Sequence, residues 1–273
     1  MVLSRLVPRL LPSRWAARRL KHVSERLRRA PWKLLRGAPG NLLPSQCLLC
    51  ACTLDGALLC TGCQFELPHV YDQMVCRQCG IRNHSAGEFC GHCLHHPPAF
   101  SRSIIPFAYA YPLDNLIHKF KYRRHLASGK LLSQLLADYL KHHARQQEDW
   151  LMPDLLVPAP MHWLRRWQRG FNQAEIVGQY VAQALELPLE TRLIQRVHKT
   201  PAQKELTRSE RQKNLRKAFK ISEKKRGTLA GKRVAIIDDV VTTTATVREL
   251  SKLLMSAGAK DVQVWALART MEK

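Results

Sequence analysis

Acidic residues are scarce in this chain, and long apolar runs are missing. Its 273 residues carry 44 Lys and Arg against 21 Asp and Glu, a formal net charge of +23. So lopsided a balance predicts affinity for polyanions: nucleic acid, an anionic membrane surface or phosphate-rich ligands. No stretch approaches the ~20 apolar residues that span a bilayer, so no transmembrane segment is expected. No apolar segment follows the basic start, which argues against a secretory signal peptide. Low-complexity tracts are absent, and the only internal repeat is a doubled cysteine set. What remains is enough for a core. Apolar residues make up 45% and charged residues 24%, a composition of folded chains with one large or two smaller domains.

Residues 44–98 hold all nine cysteines. In a chain expected to stay unsecreted they favour metal ligation over disulfides. Eight form four Cys-x2-Cys pairs, expected to combine as Cys47, Cys50, Cys60, Cys63 and as Cys76, Cys79, Cys90, Cys93. Each pair brings two thiolates onto one tight turn, and two turns close a tetrahedral Zn²⁺ site. With every position filled by protein, such sites are structural. The segment is too short to hold together by core burial alone. Metal supplies the folding energy, roughly 10–16 kcal/mol per structural zinc site. Iron–sulfur ligation and dithiol redox chemistry use the same spacing and stay open as rivals. Cys52 is left over, and His84, His92, His95 and His96 read as surface residues.

Residues 1–43 form a basic extension. Its first forty residues hold eleven Lys or Arg and one acid, Glu25, with leucines interleaved and prolines at Pro8, Pro12 and Pro31. Polyanion binding, including attachment at a membrane surface, a mitochondrial transit peptide, a poorly ordered tail and a translation start placed too early are its readings.

Residues 99–273 read as one α/β domain. Apolar segments near 104–110, 155–158, 193–197, 233–238 and 262–268 predict strands. Patterns near 113–122, 126–142, 172–186, 207–217 and 245–257 predict helices. Such alternation predicts a parallel sheet flanked by helices. The most informative stretch is Val234 to Thr246. Four apolar residues suggest a buried parallel strand. Asp238 and Asp239 follow at its carboxyl end. Then comes the turn Thr242, Thr243, Thr244, Ala245, Thr246, and a helix with Val247, Leu250, Leu254 and Ala257 on one face. Ligands of open α/β sheets bind outside strand carboxyl ends. A turn entering a helix offers free N–H groups and a positive dipole end to a phosphate. Neighbouring carboxylates accept hydrogen bonds from a ribose diol. The expected ligand is a ribose 5′-phosphate.

Two further segments support that pocket. Arg165, Arg166 and Arg169 concentrate positive charge past the strand near 155–158 and suit pyrophosphate. Asn172 fits an N-cap with Glu175 completing a capping box. The polar stretch 200–219 suits a lid over a charged substrate, with Gln203, Arg211 and Asn214 its candidate functional members. Trp15, Trp32, Trp163 and Trp167 read either as core residues or as stacking faces for single-stranded DNA. No general base and no reader of a nucleobase emerges.

The stretch around Asp238 and Asp239 resembles the signature of type I phosphoribosyltransferases, which use phosphoribosyl pyrophosphate (PRPP). That resemblance implies that Asp238 and Asp239 hold the ribose hydroxyls, that residues 242–246 wrap the 5′-phosphate, and that Mg²⁺ serves any catalysis. It departs at Thr244, where that family carries Gly, the residue that permits positive φ and close approach. The four Cys-x2-Cys pairs, the Arg-Gly-Phe-Asn-Gln-Ala-Glu run, the spacing through Arg211 and Asn214, the Asp-Asp core and the final Ala268-Arg269-Thr270 together resemble the ComF/GntX family over residues 44–270. This resemblance implies a zinc ribbon ahead of a phosphoribosyltransferase-like domain in a bacterial cytoplasmic protein. It implies a role in DNA uptake for natural transformation or in use of DNA as a nutrient. A competence helicase and a recombination mediator are implied partners. Two functions are expected: a PRPP-dependent enzyme, or an inactive single-stranded-DNA-binding or adaptor module.

Overall fold

The computed structural model describes residues 45–70, 75–83, 87–147, 150–197 and 218–271. The basic extension with Trp15 and Trp32, His84, the helix expected over 207–217, and Gln203, Arg211 and Asn214 lie outside the described residues. The cysteine-rich segment contributes β1 (Ser45–Gln46), β2 (Thr53–Leu54), α1 (Thr61–Phe65) and α2 (Gly91–His95). There follow β3 (Arg102–Ile104), β4 (Phe107–Ala108), α3 (Leu113–Arg123), α4 (Leu126–Gln146), β5 (Leu155–Pro158), α5 (Trp163–Arg169) and α6 (Gln173–Leu185). The chain closes with β6 (Ile194–Arg196), β7 (Phe219–Ile221), β8 (Arg233–Val241), α7 (Ala245–Ser256) and β9 (Asp261–Arg269).

The main sheet is ordered β3, β9, β8, β5, with β4 also paired to β9, and every pairing in it is parallel. β8 is central, and its apolar run is buried on both faces. Ala235 and Ile237 pack with Leu116, Phe120, Leu132 and Val177 of α3, α4 and α6. Val234 and Ile236 pack on the other side with Val247, Leu250 and Leu254 of α7. The period of two along the strand assigns alternate residues to opposite layers. Where α3 meets α4 the buried ring of Phe120 packs directly on the α4 backbone, because a Cβ on Gly129 would lie 2.5 Å from it.

Two expected strands differ from the sequence reading. The segment 104–110 is not one strand. It pairs with β9 at Arg102–Ile104, breaks at Ile105–Pro106, and pairs again at Phe107–Ala108. Proline has no N–H to give to a ladder. The segment 193–197 lies outside the main sheet and pairs antiparallel with β7 instead. Its Leu193 and Ile194 still fill the core beneath α7, so its apolar content reflected burial and not membership of the parallel sheet. The cysteine-rich segment covers the sheet edge. Ser103 N–H donates to the Arg77 carbonyl (3.0 Å), Val70 N–H to Pro106 (2.8 Å) and Ala108 N–H to Pro68 (2.8 Å). An edge strand covered in this way is closed to pairing with other chains.

Candidate functional site

β8 runs past the two acids to Val241 before the chain turns at Thr242, Thr243 and Thr244 into α7. Asp238 and Asp239 are half-buried, while Thr242 and Thr243 are exposed, so the turn is open to solvent. Asp238 Oδ1 accepts from the Asp239 N–H (2.9 Å), and Asp239 Oδ1 accepts from the Val240 N–H (2.7 Å). Asp239 Oδ2 pairs with Lys121 Nζ of α3 at 2.9 Å. Burial first, and then the neighbouring charge of Asp239, push the Asp238 carboxyl up to about 7. The pair therefore supplies one firmly paired carboxylate and one group balanced between acceptor and donor near neutrality.

Thr244 precedes the first residue of α7 with φ −15° and ψ 1°. Its φ is negative, so the positive-φ freedom that favours Gly is not used here. Its Oγ1 accepts from Arg248 Nε (3.1 Å). Beneath the turn, the buried guanidinium of Arg269 donates to the carbonyls of Val241 (3.2 Å), Thr242 and Thr270 (2.8 Å). At the start of α7 the Ala245 N–H donates to the Thr243 carbonyl, and the rest of a helix's first turn leaves N–H groups without intrahelical partners.

Next to Lys121 lies a cavity of about 400 Å³ lined by Lys121, Tyr122, Arg124, Arg165, Gln168 and Arg169. Four cations and no acid line it, which suits a ligand with several negative charges. Arg169 stands 5.0 Å over the Tyr122 ring and donates to Gln173 Oε1 (3.1 Å). Gly170, at φ +85°, ends α5 and lets the Arg124 guanidinium lie where a Cβ would approach it to 3.3 Å. Asn172 caps α6 by accepting from Ala174 N–H (3.2 Å) and anchors to the Ala159 carbonyl (3.0 Å). Glu175 does not complete a capping box; it pairs with Arg166 at 3.0 Å and so ties α5 to α6. The residues around Trp163 and Trp167, for which the sequence predicted no element, are helical, and both indoles are exposed (66% and 77%). Neither is a core residue.

The cysteines gather as the spacing requires. In each of the sets Cys47, Cys50, Cys60, Cys63 and Cys76, Cys79, Cys90, Cys93 the sulfur atoms all lie within 4.8 Å of one another. All are free thiols. Cys50 to Cys60 and Cys79 to Cys90 each measure 3.7 Å between sulfurs. A tetrahedron with metal–sulfur bonds of ~2.3 Å has edges of roughly 3.8 Å, so the donor set fits a thiolate-bound metal ion. Without metal the thiols compete for protons. Bonding with Cys79 and Cys93 pulls Cys76 below the ordinary thiol range, while bonding with Cys76 pushes Cys79 up to about 12 and raises Cys93. A divalent ion relieves that competition by taking all four as thiolates.

Sequence reasoning missed Lys121, Tyr122, Arg124, Arg248 and Arg269 as parts of the site. Arg248 carried a local signal in its spacing of four residues from Thr244 on one helix face, and Arg269 carried one in the Ala268-Arg269-Thr270 run of the family resemblance, which assigned it no role.

Comparison with known proteins agrees with this architecture. The phosphoribosyl transferase domain family matches residues 172–273. Competence protein F of Haemophilus influenzae is 33% identical over 232 residues, covering 84% of this chain and 99% of that protein. DNA utilization protein YhgH of Escherichia coli K12 is 36% identical over 200 residues, covering 73% of this chain and 86% of that protein. Competence protein ComFC of Streptococcus pneumoniae is 30% identical over 164 residues, covering 60% and 66%. With the parallel sheet and its strand–acid–turn–helix segment, this is a type I phosphoribosyltransferase-like fold.

Proposed function

The chain belongs to the ComF family, and from that premise we propose that it acts in DNA uptake, for transformation or nutrition, through a PRPP- or nucleotide-binding site at the end of β8. One observation carries this reading. Adjacent carboxylates lie among the last residues of a central parallel strand, two residues before its end, an exposed hydroxyl turn follows, and Lys121, paired to Asp239, belongs to a cavity lined only by cations and neutral groups. Asp238 and Asp239 take the ribose hydroxyls. Thr242 to Thr246 hold the 5′-phosphate by hydroxyls and N–H groups. Arg169, with Lys121, Arg124 and Arg165, meets the pyrophosphate, and Gln203, Arg211 and Asn214 close over it. The two cysteine sets hold structural Zn²⁺. The protein resides in the bacterial cytoplasm, and residues 1–43 supply a basic contact to a membrane surface or to DNA. No helix among the described residues is long and apolar enough to cross a membrane.

As an enzyme, the site would let an acceptor nitrogen form a bond to ribose C1 while the bond from C1 to pyrophosphate breaks. The chain's contribution is positioning and charge stabilisation of the departing anion. Mg²⁺, when bound with PRPP, supplies neutralisation of the pyrophosphate oxygens. The test is incubation with PRPP, Mg²⁺ and a panel of nitrogenous bases, read by pyrophosphate release. Release assigns phosphoribosyl transfer. Saturable binding without release assigns a binding module. Neither binding nor release overturns the reading.

A second activity, single-stranded DNA binding, is favoured by Trp163 and Trp167. They stand one helical turn apart, exposed, with Arg165, Arg166 and Arg169 on the same helix. Base–aromatic stacking contributes about 1–3 kcal/mol per base. Trp163→Ala with Trp167→Ala should weaken oligonucleotide binding and leave its salt slope unchanged, since indoles release no counterions. Equal affinity in wild type and variant would remove α5 from the DNA surface. In the adaptor form of this reading, the cysteine-rich segment contacts a competence helicase, and a recombination mediator receives the strand.

A further inference from the structure

Both ends of the phosphate turn are tied to the second cysteine set, each by one guanidinium. At its end, Arg248 donates through Nε to Thr244 Oγ1 (3.1 Å), through one terminal nitrogen to the His96 carbonyl (2.8 Å), and through the other to Cys93 Sγ (3.6 Å). At its start, Arg269 donates to the carbonyls of Val241 and Thr242, and its Nε donates to the Cys79 carbonyl (3.0 Å). Cys79 and Cys93 belong to different Cys-x2-Cys pairs of the same set. Their separation is thus the distance between the anchor points of the turn.

We infer that Arg248 and Arg269 are positioning residues through which metal occupancy of the set Cys76, Cys79, Cys90, Cys93 fixes the phosphate turn for its ligand. Four thiolates around a divalent ion carry net negative charge, so a guanidinium N–H directed at Cys93 is a charge-assisted donor to a metal ligand. While the metal holds the two pairs together, both guanidinium groups span to the turn. When it leaves, the pairs are free to part and the anchors of Val241, Thr242 and Thr244 part with them. Lysine cannot replace Arg248, because one ammonium lacks the fork that reaches three acceptors on two elements. The cysteine segment supplies the acceptors, the Cys79 carbonyl, Cys93 Sγ and the His96 carbonyl, for two guanidinium groups of the α/β domain that also hold its turn. The inference rests on the reading of that turn as a sugar-phosphate site.

The test compares wild type, Arg248→Met and Arg248→Lys in the full chain, each checked for zinc content. The readouts are calorimetric affinity for PRPP with Mg²⁺ and hydrogen exchange at residues 242–247. Arg248→Met should keep its zinc, bind PRPP about tenfold more weakly, and exchange faster at the turn but not elsewhere in the sheet. Arg248→Lys should recover only part of the affinity. A chelator should speed exchange of the turn in wild type and add less in Arg248→Met, where one link is already cut. Unchanged affinity and exchange in Arg248→Met, or equal loosening of both proteins by chelator, overturns the inference and leaves the sugar-phosphate reading intact. If wild type does not bind PRPP, that reading fails, and the exchange comparison alone decides the coupling.

Discussion

Asp238 is the residue whose environment departs furthest from that of a solvated carboxylate. Its carboxyl is raised from 3.8 to about 7 by burial and by Asp239. The folded state therefore holds this proton longer than the unfolded chain does. Its contribution to stability is complete below the unfolded value and is lost as pH rises through about 7. Thermal midpoints should fall between about pH 5 and pH 8 in wild type, and fall less in Asp238→Asn; parallel curves would show that Asp238 is not the group responsible. Thr244 gives a second test. Thr244→Ser keeps the acceptor for Arg248, and Thr244→Val loses it at similar volume. Equilibrium unfolding should show a cost of about 1 kcal/mol for the valine and little for the serine. The acids and the turn were legible because they are contiguous. Lys121 and Arg124 were not, since they arrive on a helix more than a hundred residues earlier and no local pattern marks them.

Among elements, the helices flanking the sheet were read well because each has a long amphipathic period. The helix of α5 was missed: seven residues between Pro160 and Gly170, rich in Trp and Arg, bury no side chain and so show no apolar stripe. The strand near 193–197 was read correctly as a strand but assigned to the wrong sheet, because burial beneath α7 and burial within a parallel sheet leave the same apolar mark. Gly129 tests the α3–α4 packing with a definite sign. In an exposed helix Gly→Ala stabilises by about 1 kcal/mol. Here the added methyl meets the ring of Phe120, itself fully buried. Gly129→Ala should instead destabilise, by about 1–3 kcal/mol in denaturant unfolding. A stabilised variant would mean that the two helices are not in close contact at this point.

For the whole molecule, the charge of +23 set expectations of polyanion binding, and the fold shows where part of that charge converges. Lys121, Arg124, Arg165 and Arg169 come from two helices far apart in sequence to line one cavity beside Asp239. The cysteine-rich segment is linked to the turn after the same strand through Arg248 and Arg269. Composition gave the sign of the charge and spacing gave the cysteine sets, but their meeting at one strand end depends on tertiary packing. The central claim is that this strand end takes a ribose 5′-phosphate. Calorimetric titration of PRPP with Mg²⁺ into wild type and into the double variant Asp238→Asn, Asp239→Asn addresses it directly. Saturable binding by wild type that the folded double variant loses is the predicted result; absence of binding to wild type, or equal binding by both, would contradict it.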